Sequence, residues 1–304
     1  MVKEMKISPG DINGATYVPC LEGKHTQDEI PSQSNIIHPC ILYHIYSDLC
    51  GPMQTKSCQG KYYVLTFIDR NAHHVKVKLL VTKSETCKII IALIECAEVE
   101  TREWVNFFHC DGGGKFRSKE LADYFESKGI HHKETNAYTP QENGVAKHIN
   151  RTIIEMAQTL LLEGNLPLMY WCFIVIYVVY IINQSPTCTL ESKTPMEAYT
   201  RNRPLVAHLH IFRCKAYIYI PQEKHQKLDK KTLECVYLGY SEHKKAFILL
   251  HQLSEHLIKY RDVYFNESEL IEPSRVQIET EAVKNGAKVD ILPDQETKTD
   301  ISTA

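Results

Sequence analysis

Two aspartates stand in settings suited to holding cations. Asp48 lies in Tyr46-Ser47-Asp48-Leu49-Cys50-Gly51-Pro52-Met53, at the end of an apolar, strand-like run. Asp111 follows another short apolar run and opens a glycine turn, Cys110-Asp111-Gly112-Gly113-Gly114-Lys115-Phe116. Carboxylates that converge from different elements can hold two Mg2+ ions, one activating an attacking oxygen and the other stabilising a leaving one, which is the requirement of phosphoryl transfer. Each aspartate taken singly also fits a plain turn or cap, where Asp and Gly are common. A third candidate position is separated from Asp111 by thirty-five intervening residues, in Val145-Ala146-Lys147-His148-Ile149-Asn150-Arg151-Thr152, and it is occupied by a lysine.

The stretch Tyr138-Thr139-Pro140-Gln141-Glu142-Asn143-Gly144-Val145-Ala146-Lys147-His148-Ile149-Asn150-Arg151-Thr152 resembles the helix signature of copia-type retrotransposon integrases, T-P-Q-Q-N-G-V-A-E-R-x-N-R-T. The Asp48 segment matches that family's H-S-D-L-C-G-P. The Asp111 segment resembles its D-N-G-G-E-[YF], with Gly112 for the Asn and Lys115 for the Glu. The resemblance runs from about Cys20 to Glu267. It implies Mg2+- (or Mn2+-) dependent attack of a DNA 3′ hydroxyl on a target phosphodiester, with Asp48 and Asp111 as metal-binding carboxylates and a glutamate where Lys147 stands. An ammonium there repels a divalent cation and donates where a ligand must accept. The expected loss is several kcal/mol, on the order of the Lewis-acid contribution itself. Lys147 is expected to pair with Asp48 and Asp111. Glu142, in the preceding loop, and Glu155, two turns further on, are the acids nearest in sequence, and neither is an obvious substitute. The reading is therefore an integrase-derived core that binds nucleic acid with impaired chemistry; a non-catalytic scaffold and a functionless fragment are the alternatives.

The elements that must position these residues follow from periodicity. Strand-like runs cover 40–49, 61–68 and 75–80, the last with period two. A helix is expected over 83–101, opened by Ser84, then a strand over 104–110, a helix over 118–128 ended by Gly129, and a strand over 130–132. A long helix over 145–162 carries Ile149, Ile153, Met156 and Leu160 on one face, and an apolar helix over 168–183 follows it. This order is that of an α/β RNase H-like integrase core, a mixed five-stranded sheet with flanking helices. Four short β runs (216–220, 235–240, 246–250 and 258–265) predict a small SH3-like β-barrel domain after it. The expected domains are a remnant of a zinc-binding module at 1–40, the core at 41–200, the SH3-like domain at 208–268 and an acidic disordered tail at 269–304.

Cys20-Leu21-Glu22-Gly23-Lys24 resembles the end of the family's zinc module, but with one ligand of four surviving no zinc site is expected. The chain has 11 cysteines and no C-x-x-C pair, which points to a reducing intracellular compartment, with the nucleus implied by the family resemblance. No charged-then-apolar leader opens the sequence. The apolar run 166–182 falls short of the roughly 20 residues of a membrane span and reads as a buried helix, so no membrane partner is expected. Net charge is −2. From Asn266 onward nine Asp/Glu face four Lys/Arg, which leaves the remainder at +3, a bias compatible with DNA backbone contact. The DNA-binding candidates are Lys147, His148 and Arg151 on one helix end, and Lys227, Lys230 and Lys231, near Lys224, in the second domain. Self-association is implied by the family resemblance.

Overall fold

The computed structural model describes residues 39–111, 116–134, 144–164, 166–220, 226, 228–241, 245–251 and 256–270. The first sheet is built from β1 (His44–Cys50), β2 (Tyr63–Asp69), β3 (Val75–Leu80), β4 (Phe107–Cys110) and β5 (His131–Glu134), in the order β3-β2-β1-β4-β5. β1, β2 and β3 form an antiparallel meander, while β4 and β5 add in parallel. Helix α1 (Thr86–Thr101) leads into β4, and α2 (Lys119–Lys128) connects β4 to β5. α3 (Gly144–Glu163) and α4 (Trp171–Gln184) follow, then the short α5 (Pro195–Thr200). This is the RNase H-like layering: a mixed sheet with helices on both faces.

Alternation along β1 divides the core. Ile45 and Leu49 point, with Leu65, Phe67 and Phe108, into a cluster closed by α1 and α2. Tyr46 points to the other face, with Val64, Ile68 and Val75, and is covered by α3 and α4. Period-two side chains on a sheet buried on both faces produce this partition.

Several boundaries differ from the sequence reading, each for a local reason. β1 starts at His44 because Leu42 takes a left-handed conformation (φ 64°), its N–H donating to the buried Asp69 carboxylate. The same carboxylate accepts from Ala72 N at 2.6 Å, so Asp69 fastens two turns at one sheet corner. Ser84 does not open the first helix: Thr82 and Glu85 form a capping box around a 3-10 turn, Lys83–Glu85, that precedes α1. Ser118 does cap α2, accepting from Leu121 N, and Gly129 closes it at φ 68°. α5 escaped notice because it is only 6 residues long, although Thr194 caps it and Pro195 opens it.

The second sheet contains β6 (Cys214–Tyr219), β7 (Thr232–Ser241), β8 (Ala246–His251), β9 (His256–Tyr260) and β10 (Val263–Leu270), all antiparallel in the order β10-β6-β7-β8-β9. The run read as one strand at 258–265 is two, β9 and β10, which end up on opposite margins of the sheet. Both sheets belong to one compact unit. Val236, Leu238, Ile248 and Leu250 of β7 and β8 join the cluster that contains α3 and α4.

Candidate functional site

Asp48 and Asp111 come from neighbouring parallel strands. The β1–β4 ladder pairs His44 with Phe107, Ile45 with Phe108 and Tyr46 with His109. Asp48 lies two residues beyond Tyr46, and Asp111 two beyond His109, so both aspartates continue the row on the face that α3 crosses. Both are half-buried. Asp48 Oδ1 accepts from Leu49 N at 2.8 Å, and its backbone carbonyl accepts from Thr66 Oγ1 at 3.2 Å.

The residue that meets Asp48 from α3 is Asn150. Its Nδ2 donates to Asp48 Oδ2 at 3.0 Å, across 102 residues of chain. Asn150 is buried, in a stripe with Ala146, Ile153, Ala157 and Leu161. The expected face is largely kept: Ile153 lies in the stripe, Ile149 and Leu160 flank it against the same cluster, and Met156 is exposed. The two alanines on the stripe let the helix approach the sheet closely enough for the short amide to reach Asp48.

Lys147 stands on α3 one turn before Asn150 and is exposed. Among the described residues it forms no ion pair, so the expected pairing with Asp48 and Asp111 is not seen; Asn150 supplies a neutral donor to Asp48 instead. His148 and Arg151 are exposed beside it, with Arg151 Nη2 3.4 Å from His148 Nδ1. Arg151 also faces Glu155 at 3.9 Å, so Glu155 is turned to a solvent-side pair. Among the described residues no group of three His, Cys, Asp or Glu side chains is placed to hold a metal ion. Among the described residues, two carboxylates, one of them receiving an amide N–H, do not by themselves match the oxygen-rich donor set that Mg2+ requires. Glu142, Lys224 and Lys227, like Cys20 and the rest of the zinc-module segment, lie outside the described residues. Lys230 and Lys231 are exposed just before β7, on the second sheet.

A row of rings on the same face was not anticipated. Tyr46 stacks on His109 at 4.4 Å, and His109 Nε2 lies 2.9 Å from His44 Nδ1. His44 stacks on Phe107 at 4.6 Å, and Phe107 on His131 at 5.0 Å, with Lys133 Nζ 4.6 Å from the Phe107 ring centre. The row leads from the aspartates to the exposed margin at β5. Its sequence signal was alternation: 44 and 46, 107 and 109, and 131 and 133 each share a strand face. Behind Asp111, Cys110 Sγ lies 3.1 Å from His132 Nε2, and burial pushes the His132 imidazole below its usual range.

Comparison with known proteins finds relatives for most of the chain. The Retroviral polymerase SH3-like domain matches residues 214–279, which begin at the first residue of β6 and extend past β10. The Retrovirus-related Pol polyprotein from transposon TNT 1-94 of Nicotiana tabacum is 35% identical over 277 residues, 90% of this chain and 20% of that protein. The chain's homologues are Pol polyproteins of plant copia-type transposons. A second Pol relative, from transposon RE1 of Arabidopsis thaliana, is 31% identical over 82% of this chain and 17% of its own length. The chain thus spans about a fifth of the length of these Pol polyproteins. Among solved structures, the HTLV-2 integrase catalytic core domain in complex with magnesium (trimeric form) matches 53% of this chain and 98% of its own, at 18% identity and a TM-score of 0.41.

Proposed function

We propose that this homologue of copia-type Pol polyproteins is an integrase-type core that contacts DNA and has little or no strand-transfer activity. One observation carries the reading. By its motif Lys147 falls where the resembled family has its third carboxylate, and it stands one turn ahead of the Asn150 that engages Asp48. An exposed ammonium at that point lowers the local affinity for a divalent cation and favours a phosphate. Because the donor set does not fit Mg2+, no metal-dependent step is assigned to the chain.

Support for DNA contact comes from the surface around the aspartates. Lys147, His148 and Arg151 are exposed together, and at the β5 margin His131 is exposed with the half-buried Phe107 ring beside it and Lys133. Cations beside aromatic faces suit a nucleic-acid strand read without sequence. Lys230 and Lys231 on the second sheet would add backbone contacts, and self-association belongs to the same reading.

The test is strand transfer in Mn2+ with the native chain beside Lys147→Glu. The native chain is expected to be inactive and the variant to gain measurable product; robust native activity overturns the reading. A salt titration of DNA binding accompanies it. Affinity that falls steeply with salt supports phosphate contact, whereas absence of binding at low salt leaves a scaffold role in its place.

A further inference from the structure

The loop between β1 and β2 is fastened to the start of α4. Trp171 Nε1 donates to the Thr55 carbonyl at 2.9 Å, and Cys58 N donates to the Met169 carbonyl at 2.9 Å. The turn carrying Cys58 is closed on itself: Gly60 N meets Ser57 O at 2.8 Å, Ser57 N meets Lys61 O at 3.0 Å, and Lys61 N meets Ser57 Oγ at 2.8 Å. Between these fastenings Cys58 Sγ lies 3.7 Å from Cys172 Sγ. A disulfide holds its sulfurs roughly 2.05 Å apart. Closing that gap requires an approach of about 1.7 Å, within what rotation about a single Cα–Cβ bond can move a sulfur.

We propose that Cys58 and Cys172 are a reversible dithiol–disulfide modification site, oxidised by a hydroperoxide. The two thiols are unequal, which sets the order of events. Cys58 is half-buried and reachable from solvent, whereas Cys172 is buried. Hydrogen bonding with the Cys172 thiol, aided by backbone N–H groups at Cys58 and Gln59, holds the Cys58 thiol below its usual range against the effect of burial. The same contact, together with burial, pushes Cys172 up.

The Cys58 thiolate attacks one peroxide oxygen. The O–O bond breaks, Cys58 becomes a sulfenic acid, and the departing hydroxide leaves as water after taking a proton. Cys172 then gives up its proton as its sulfur attacks the Cys58 sulfur; the S–O bond breaks, the S–S bond forms, and a second water departs. Two thiols lose two electrons in all, and one hydrogen peroxide becomes two waters. The resulting bridge would tie the β1–β2 loop to α4 across a sequence separation of 114.

The experiment treats the full chain with hydrogen peroxide, blocks remaining thiols with N-ethylmaleimide after unfolding, and maps non-reduced tryptic peptides by mass. The expected product is a peptide pair joining Cys58 to Cys172, lighter by two hydrogens than the separate peptides and split by dithiothreitol. The oxidised chain should melt higher than the reduced one. Cys58→Ser, a near-isosteric change at a half-buried site, should keep the fold, lose the cross-linked pair and melt at a temperature independent of peroxide. The proposal is overturned if Cys172 is recovered fully alkylated, if Cys58 proceeds to a sulfinic acid, or if either sulfur is found bonded to a different cysteine.

Discussion

One turn of α3 separates two side chains with opposite roles: Asn150 is buried against Asp48, and Lys147 projects into water. A hydrogen bond to a charged group contributes about 1.5–3 kcal/mol. Asn150→Ala is therefore expected to lower unfolding stability by that amount in a urea titration. The loss should be much smaller in an Asp48→Ala background, because the double-mutant cycle isolates the pair. The motif around Lys147 singles that residue out in the sequence. Asn150 lies in the same motif, yet its role was hidden. An asparagine on a helix reads as surface, and the stripe that buries it contains two alanines, which carry little hydrophobic signal. His74 gives a second prediction at this scale. Buried and stacked on Tyr199 at 4.1 Å, it is held neutral by burial, with its pKa pushed down to about 3. The unfolded chain binds a proton there near pH 6.5 and the native chain does not, so this contribution is full above that pH and drains away as pH falls toward 3. Native stability should decline through that window more steeply than that of His74→Phe, which keeps the stack and removes the titration. Asp69 acts in the opposite sense, since burial raises its carboxyl, so the comparison between the two chains is what isolates His74.

At the scale of elements, β7 and α4 meet through a glycine. The β7–β8 register shifts between Tyr237 and Gly239, and Gly239 adopts φ 151° with a Cβ position 3.2 Å from the Tyr177 side chain. Gly239→Ala would combine a strained backbone with an overfilled contact, and a destabilisation of about 1–3 kcal/mol is expected in thermal or urea unfolding. Strands with clean alternation were readable: β3 runs from Val75 to Leu80, as its period indicated. β9 and β10 were not separable, because the turn between them, Arg261-Asp262, carries neither Gly nor Pro. The first helix start was misplaced for a related reason. Thr82, Ser84 and Glu85 all offer capping groups, and only the reciprocal contacts of Thr82 and Glu85 decide among them. Asn183 illustrates what no local pattern reveals: from α4 it accepts from Val75 N at 2.9 Å and donates to Val75 O at 2.8 Å, occupying the backbone of an edge strand.

Across the whole molecule, the two sheets are held by shared packing on α4. Tyr177 of that helix lies in the core of the second sheet, and Trp171, Ile174 and Val178 lie in the cluster shared by both. Arg213 Nη1 donates to the Glu163 carbonyl at 2.6 Å, adding a polar tie to the end of α3. A chain truncated after Thr200 should consequently lose more than its second sheet. Its α4 would face water on one side, and the fragment is expected to aggregate or to give a lower urea m-value than a stable core of its size. Sedimentation together with a urea titration checks this. The order of elements was readable in the sequence because each segment carries its own period. The sharing of a core was not, because the outer face of α4 is as apolar as its inner one and no pattern says which layer covers it. By length and composition alone Leu168–Leu190 is apolar enough to cross a membrane, and 67% of its most apolar window is buried within this protein.

That dependence has a temporal side. A ribosome makes α4 before β6, β7 and β8, so for an interval in each round of synthesis the helix exists without the strands that will cover it. During that interval the nascent chain carries a greasy rod with nothing yet to bury it.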